Sequence, residues 1–328
     1  MTDTLPAFAG NDPPEIQTRT HDRYHAVMKM CMSLPPLITA IVHPVQADVI
    51  EAVADAAREN LITPVLIGPI NRIAEAASAA KIDVSAWQII DTEHSHASAA
   101  KAAELASGGL AQAIMKGSLH TDELLGPIVA PTSGLHTERR LSHAYVMDTP
   151  GYAKWLIVTD AVVNIAPDLL TKADICRNAA DIWRVLTGET RLPKIAVLAA
   201  VEVVNPKMQA TLDAAALSKM AERKQIVGCI IDGPLAFDNA ISKASAAEKG
   251  IASDVAGDAD ILLTPEIESG NILAKQLTFI SRADAAGIVM GARVPIILTS
   301  RADNLRARLL SCALAVLIIQ ARREGRLK

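Results

Sequence analysis

One rhythm limits what this chain can fold into more than any other feature. Short apolar runs rich in Ile, Leu and Val alternate with longer stretches of helical periodicity. Leu37–Val42 precedes Gln46–Asn60, Thr63–Ile67 precedes Ile70–Ala80, Trp87–Ile90 precedes Ser95–Ser107, and Ala111–Met115 follows. Runs that are apolar throughout, with a helix between each pair, predict parallel strands covered on both faces. The rhythm returns with the helix Thr171–Leu186 before the strand Ile195–Val201. Helices Pro206–Arg223 and Ala240–Lys249 then precede strands Val227–Ile231 and Asp260–Leu263, and the helix Asn271–Ala286 precedes the apolar run Gly287–Leu298. Leu305–Arg323 is apolar on nearly every face, which suits a buried helix or a subunit contact. The expected class is α/β, with mainly parallel sheets flanked by helices.

The rhythm breaks around Leu135–Ile165. His143–Met147 and Trp155–Val158 are separated only by a short segment carrying Pro150-Gly151, a turn signal that predicts two strands in hairpin-like proximity. A chain of 328 residues is long for one core, so two domains are expected, and the break suits their boundary.

Composition removes several function classes. Aromatic residues make up 3%, too few for the stacking platforms of single-stranded nucleic-acid binding, and the net charge is −4 with no basic run beyond Arg322-Arg323. No nucleic-acid partner is expected. Cys31, Cys176, Cys229 and Cys312 are widely spaced and set in apolar or helical stretches, so they read as buried reduced thiols. The N-terminal stretch is polar and proline-rich without the basic and apolar regions of a signal peptide. The longest apolar stretch, Cys312–Ile319, is too short to span a bilayer. No membrane partner is expected, and the cytoplasm is the expected compartment.

Polar residues gather where the strands end. His43-Pro44 follows the first strand, Lys116–Thr121 a later one, Thr159-Asp160 with Asn164 another, then Asp232-Gly233-Pro234, Thr264-Pro265-Glu266 and Thr299–Asn304. Ligands of open α/β sheets bind outside strand carboxyl ends, so these ends are expected to form one edge carrying the site. In Thr264–Lys275, Ser269 and Gly270 stand where a helix should begin, and Asn271 and Lys275 share its first turns. Two readings are open there: an ordinary Ser cap with a solvated lysine, or an anion held by free N–H groups and the helix dipole. There is no GxxxxGK[ST], no GxGxxG after a strand, no HExxH and no GxSxG. His94 and His96 lie near a helix start and read as solvent-facing. What remains is an oxyanion-binding inventory without an evident metal site.

Five segments in order then support a family: Lys116–Thr121 (KGSLHT), Thr159–Asp168 (TDAVVNIAPD), Asp232–Ile241 (DGPLAFDNAI), Ser269–Ile272 (SGNI) and Leu298–Asp303 (LTSRAD). Together they resemble the phosphate acetyltransferase and phosphate butyryltransferase family. The resemblance implies reversible acyl transfer between CoA and phosphate. It implies two α/β domains of the isocitrate/isopropylmalate-dehydrogenase-like fold with the active site in the cleft between them. A homodimer or higher oligomer is implied too, with no metal or redox cofactor, coenzyme A being a substrate. The domains are expected at 18–145 plus 296–328 and at 146–295, after a flexible arm at 1–17.

By the same resemblance, Ser300 and Arg301 match a catalytic Ser-Arg pair. The hydroxyl would bond the reacting carbonyl or leaving oxygen and the guanidinium would bind phosphate bidentately; a plain helix cap by Asp303 or Asn304 is the other reading of this segment. Ser269, Gly270, Asn271 and Lys275 would hold the acyl phosphate or the CoA phosphates. Ser118, His120, Thr121, Asn164, Gly233, Pro234 and Glu266 join them as substrate-binding candidates; Asp160 and Asp232 read equally as binding residues or structural caps.

The chain also departs from the family pattern. Acetyltransferases are expected to carry an aspartate base two turns beyond the Ser-Arg pair, where this chain has Ala307, so Asp303 is the candidate substitute. Gly126-Pro127 replaces an expected arginine before proline, and Pro150-Gly151-Tyr152 with Thr299–Asp303 resembles the butyryl branch. Acyl chain length stays open, with acetyl first and butyryl second. Two readings of other classes remain: a metal-dependent hydroxy-acid dehydrogenase of the same fold, suggested by the spacing of Asp254 and Asp258, and a non-catalytic acyl-CoA or phosphate sensor, suggested by Ala307.

Overall fold

The computed structural model describes residues 21–299 and 303–327. The expected arm at 1–17 and the pair Ser300 and Arg301 lie outside the described residues. The chain begins with α1 (Asp22–Cys31), then alternates as the rhythm predicts: β1 (Leu37–Val42), α2 (Ala47–Arg58), β2 (Ile62–Gly68), α3 (Ile70–Ala80), β3 (Gln88–Asp91), α4 (Ser95–Ser107), β4 (Ala113–Lys116) and α5 (Thr121–Val129). β5 (Ser142–Asp148) and β6 (Leu156–Thr159) form the break, followed by α6 (Leu169–Thr187), β7 (Lys194–Leu198), α7 (Gln209–Glu222) and β8 (Ile230–Leu235). α8 (Phe237–Ile241), α9 (Lys243–Glu248), β9 (Ile261–Leu263), α10 (Ile267–Phe279), β10 (Asp284–Met290), β11 (Ile296–Ile297) and α11 (Leu305–Arg323) complete it.

Among the described residues, eleven strands form one sheet in the order β3-β2-β1-β4-β11-β10-β5-β6-β9-β7-β8. β3, β2, β1, β4 and β11 are mutually parallel, as are β6, β9, β7 and β8. β10 and β5 join the two sets, each antiparallel to both neighbours. This is the mixed α/β architecture that the resemblance implies, and β5 with β6 is the expected hairpin-like pair. The expected boundary between residues 145 and 146 falls within β5.

The three antiparallel pairings reverse strand direction between the halves. The carboxyl ends of β1, β4 and β11 therefore point to one edge of the sheet, and those of β6, β8 and β9 to the opposite edge. The expectation that all six strand ends line a single edge is corrected by this topology. Strand direction depends on pairing between distant segments, which local pattern does not encode.

Three apolar clusters cover the sheet. On one face α1, α2, α3, α6, α7 and α11 pack on strand residues that include Ala144, Val146, Ala286 and Ile288. The neighbouring residues on β10 and β5 point the other way. There, Val289 belongs with α4 and α5, while Ala285 and Met147 belong with α8, α9 and α10. Both helix groups thus stand on one face, either side of the β10–β5 seam, where His143, Tyr145 and Gly287 lie.

Several expected segments shift. α10 starts at Ile267, ahead of the expected Asn271, and ends at Phe279, so β10 begins before the expected Gly287. Asp232-Gly233-Pro234, expected beyond a strand, lies inside β8, which runs to Leu235. The helix expected at Ala240–Lys249 is two short helices meeting at Ser242. α11 is the buried helix its composition implied; every residue of Cys312–Ile319 is buried within the chain, so this stretch offers no subunit contact. All four cysteines are buried and unpaired, and burial pushes the Cys31 and Cys312 thiols up to about 12.

Candidate active site

The start of α10 answers the question its sequence leaves open. Glu266 is the N-cap, and its carboxylate accepts the backbone N–H groups of Glu268 (2.8 Å) and Ser269 (2.9 Å). Ile267 N–H donates to Ile165 O, and Gly270 N–H to Glu266 O. The Ser269 hydroxyl donates to that same Glu266 carbonyl (3.0 Å). The helix N-terminal donors are satisfied inside the chain by its own acidic cap. Neither expectation for Ser269 holds: it is not the cap, and the free N–H groups an anion would need are occupied. Burial acts to raise the Glu266 pKa, but the bonds from Ser269 and Glu268 prevail and hold its carboxyl below the usual range.

Gly270 is explained by packing. A side chain there would collide with the Asp160 carbonyl and, at 2.6 Å, with Thr264 Oγ1, so glycine is what lets α10 cross the loop after β6 closely. Thr264 Oγ1 donates to Asp160 O (3.0 Å), and Asn271 Nδ2 donates to Ala161 O (3.1 Å).

Asp160 organises that loop from within. Its buried carboxylate accepts from the backbone of Val162, Val163 and Asn164 at 2.9, 3.0 and 3.2 Å, and from Asn164 Nδ2 at 2.6 Å. Burial raises its pKa against these bonds. Asn164 Nδ2 also donates to Leu141 O (2.8 Å), tying the loop to the start of β5. Asp160 is therefore a loop cap, and with Asn164, Thr264, Gly270 and Asn271 it locks loop and helix together. Beside them lies a hollow of about 370 Å³ lined by Ala161, Val162, Ile267, Glu268, Asn271 and Ile272. Lys275 is exposed one turn further along α10.

The opposite edge holds a second polar group. Asp48 of α2, Lys116, Gly117, Thr299 and Arg308 surround a small recess of about 20 Å³. Arg308 Nη1 donates to Asp48 O (3.1 Å). Ser118 N–H donates to His43 O (2.9 Å), while its hydroxyl oxygen is buried without a partner among the described residues. His120 is the exposed N-cap residue of α5 and Thr121 its first residue. Thr299, the last described residue before 303, lines this recess.

The start of α11 is anchored at the same edge. Asn304, not Asp303, is the cap, accepting Ala307 N–H (2.9 Å). Asn304 Nδ2 and Arg306 Nε donate to Asp284 at 2.9 and 3.1 Å, and His21 Nδ1 lies 2.9 Å from it. Ala307, where an aspartate base was expected, is 3% exposed.

Asp303 lies close enough to Tyr145 for its charge to act there. The Tyr145 hydroxyl is pushed up to about 12, by burial first and by the Asp303 charge second. The structure thus brings together Asp160, Asn164, Glu266, Ser269, Gly270 and Asn271 where the loop after β6 meets the start of α10. Ser118 directly follows Gly117 of the recess at the opposite edge. Asp232, Gly233 and Pro234 sit on the edge strand β8, apart from both; Asp232 Oδ1 accepts its neighbour's Gly233 N–H (2.9 Å). Asp258, whose spacing from Asp254 suggests a metal-dependent dehydrogenase, is held by Lys154 (2.8 Å) and Lys194 (2.7 Å).

Sequence reading did not single out His143. His143 is fully buried and neither ring nitrogen has a hydrogen-bond partner among the described residues. Tyr145 packs edge-on against it, ring centroids 4.4 Å apart. A histidine inside an otherwise apolar strand was the available signal.

Comparison with known proteins agrees with this architecture. Residues 96–316 match the phosphate acetyl/butaryl transferase family. A phosphate acetyltransferase of Rhizobium meliloti is 49% identical over 92% of this chain and 95% of its own length. A phosphate butyryltransferase of Clostridium acetobutylicum is 41% identical over 82% and 89%. The crystal structure of a branched-chain phosphotransacylase from Enterococcus faecalis superposes with a TM-score of 0.74 at 29% identity, covering 86% of this chain and 99% of that one.

Proposed function

Since the chain belongs to the phosphate acetyl/butyryl transferase family, we propose that it works as a phosphate acetyltransferase, interconverting acetyl-CoA plus phosphate with acetyl phosphate plus CoA. The observation that carries this is the 49% identity to an acetyltransferase across 92% of the chain, against 41% over 82% for a butyryltransferase. Transfer of longer acyl groups is the second reading, favoured by the butyryl-like Pro150-Gly151-Tyr152 and Thr299–Asp303 segments.

In the direction of acetyl-CoA synthesis, the CoA sulfur forms a bond to the acyl carbon and the bond from that carbon to the phosphate oxygen breaks. The thiol proton passes to a base, and phosphate leaves with the electron pair of the broken bond. The reaction is polar throughout and calls for no redox cofactor. Three tasks fall to the protein: accepting the proton, binding phosphate, and stabilising the carbonyl oxygen as it gains charge. Arg301 is proposed for phosphate and Ser300 for the reacting oxygen; Lys116 and Arg308, at the recess with Thr299, carry charges that favour an anion. Asp303 is proposed as the base because Ala307 leaves its own position without one. The hollow beside α10, with Asn271 on its rim and Lys275 beyond, is proposed to take part of CoA. The seam between the two halves of the sheet is then the boundary between domains, and a homodimer or higher oligomer in the cytoplasm completes the reading.

The test is thiol release from acetyl-, propionyl- and butyryl-CoA with phosphate, with and without EDTA. EDTA-insensitive release, fastest with acetyl-CoA, is expected. Butyryl-CoA turning over faster would replace acetyl by the second reading, and binding of acyl-CoA without turnover would establish a sensor instead.

A further inference from the structure

The hollow beside α10, about 370 Å³, is within the size range of small-molecule sites. Four of its six lining residues, Ala161, Val162, Ile267 and Ile272, are aliphatic. Val162 packs against apolar clusters of both halves of the sheet, so the hollow lies where the halves meet. Ile272 is 68% exposed, and a flat apolar group laid against it would leave water.

The two polar lining residues present acceptors. Asn271 commits its Nδ2 to Ala161 O (3.1 Å), so its remaining polar atom, Oδ1, is an acceptor. Glu268 adds an exposed carboxylate. The backbone donors at the start of α10 are already engaged: Glu266 takes the Glu268 and Ser269 N–H groups, and Ile165 O takes that of Ile267. A phosphate here would meet a like charge. An apolar ring bearing an N–H₂ group would meet its complement. Lys275 follows Asn271 by four residues on the same helix face, and there a phosphate finds a cation.

Distance selects which part of a ligand reaches this place. Thr159 of β6 and Ile297 of β11 stand level, three strands apart, and the chain leaves them in opposite directions. Strand spacings of about 4.8 Å and rises of about 3.4 Å per residue then set Ala161 roughly 20 Å from Thr299 at the recess. Among the reactants of the proposed function, phosphate and acetyl phosphate are too small to reach both places. CoA carries its thiol and its adenine at opposite ends of a long chain. With the thiol on the recess side, the adenine end falls at the hollow.

We propose that the hollow binds the adenine ring of CoA. The ring lies against Val162 and Ile272, its 6-amino group is directed to Asn271 Oδ1 and the Glu268 carboxylate, and the ribose phosphate points toward Lys275. This rests on the acyltransferase reading, and it gives Asn271 a contact to the base in place of one to a phosphate.

The test photolabels the wild type with 8-azido-CoA and maps the label by mass spectrometry. Label on residues 161–162 or 267–272, suppressed by excess CoA, is expected; label confined to other segments overturns the proposal. A kinetic arm compares CoA with 4′-phosphopantetheine, which has the same thiol arm without adenine, as acceptors of the acetyl group of acetyl phosphate. Ile272→Asp should lower kcat/KM for CoA about tenfold and that for 4′-phosphopantetheine less than about twofold. Tm should hold, since the side chain is exposed. Equal falls for both thiols place the pantetheine arm in the hollow, and no fall for CoA removes CoA from it; either result overturns the proposal. If 4′-phosphopantetheine is too poor an acceptor to measure, the labelling decides. A labelled hollow in a protein that turns over no acyl phosphate leaves the adenine site standing and overturns the acyltransferase reading instead.

Discussion

Replacing His143 by leucine should change how acid unfolds this protein. The imidazole is fully buried without a partner among the described residues, and burial lowers its pKa from 6.5 to about 3. When the chain unfolds, the ring regains an ordinary pKa. Below about pH 6.5 the unfolded state thus binds a proton that the native state refuses, so native stability declines as pH falls toward 3. Above pH 6.5 neither state holds the proton, and the ring costs nothing on this account. Between pH 7 and pH 4.5 the linkage removes about 2.5 kcal/mol from the wild type. His143→Leu has no such group and should escape that loss, while the carboxylates, including that of Asp160, titrate in both proteins. Urea unfolding at pH 7 and pH 4.5 measures it, as the difference between the two proteins in their acid-induced loss of stability. Equal losses, within about 0.5 kcal/mol, would show that the ring takes up its proton in the native state, and the picture of a dry, neutral ring would be wrong.

Glu266→Ala should cost about 1 kcal/mol, because two N–H groups at the start of α10 lose their acceptor; urea midpoints report it, and sulfate should restore part of the loss in the variant only. Gly287→Ala should destabilise by about 1–3 kcal/mol through collision with the Leu298 carbonyl, seen as a drop in Tm with impaired turnover. Arg301→Ala should raise KM for phosphate about ten- to a hundredfold, the worth of a charge-assisted pair; an unchanged phosphate requirement would remove Arg301 from that role. Lys275→Ala should leave stability within about 0.5 kcal/mol, since the side chain is exposed, while raising KM for CoA if the hollow beside α10 holds it.

Much of this molecule was legible from local pattern. The helices Ser95–Ser107 and Leu305–Arg323 match their expected limits, and the thiols are as buried as their apolar contexts implied. The pairing of β5 with β6 followed from a turn signal, and five short motifs in order carried the family. These features depend on neighbours in sequence: periodicity, turn chemistry and side-chain type act within a few residues.

Other features depended on which distant segments meet. Ser269 and Gly270 looked like a helix start because a hydroxyl and a glycine often stand there; the tertiary structure places the start at Glu266 and uses Gly270 for a close crossing over Asp160. The six polar strand ends looked like one edge, but antiparallel pairing at β10 and β5 turns half of them to the other side. His143 looked like one more residue of an apolar strand. It became a fully buried residue of the seam between the two halves only once β5 paired with β10 and Gly287 came opposite Tyr145. Side-chain alternation along a strand is written locally, but which face becomes a site is set by what packs against it, and that is a property of the whole chain.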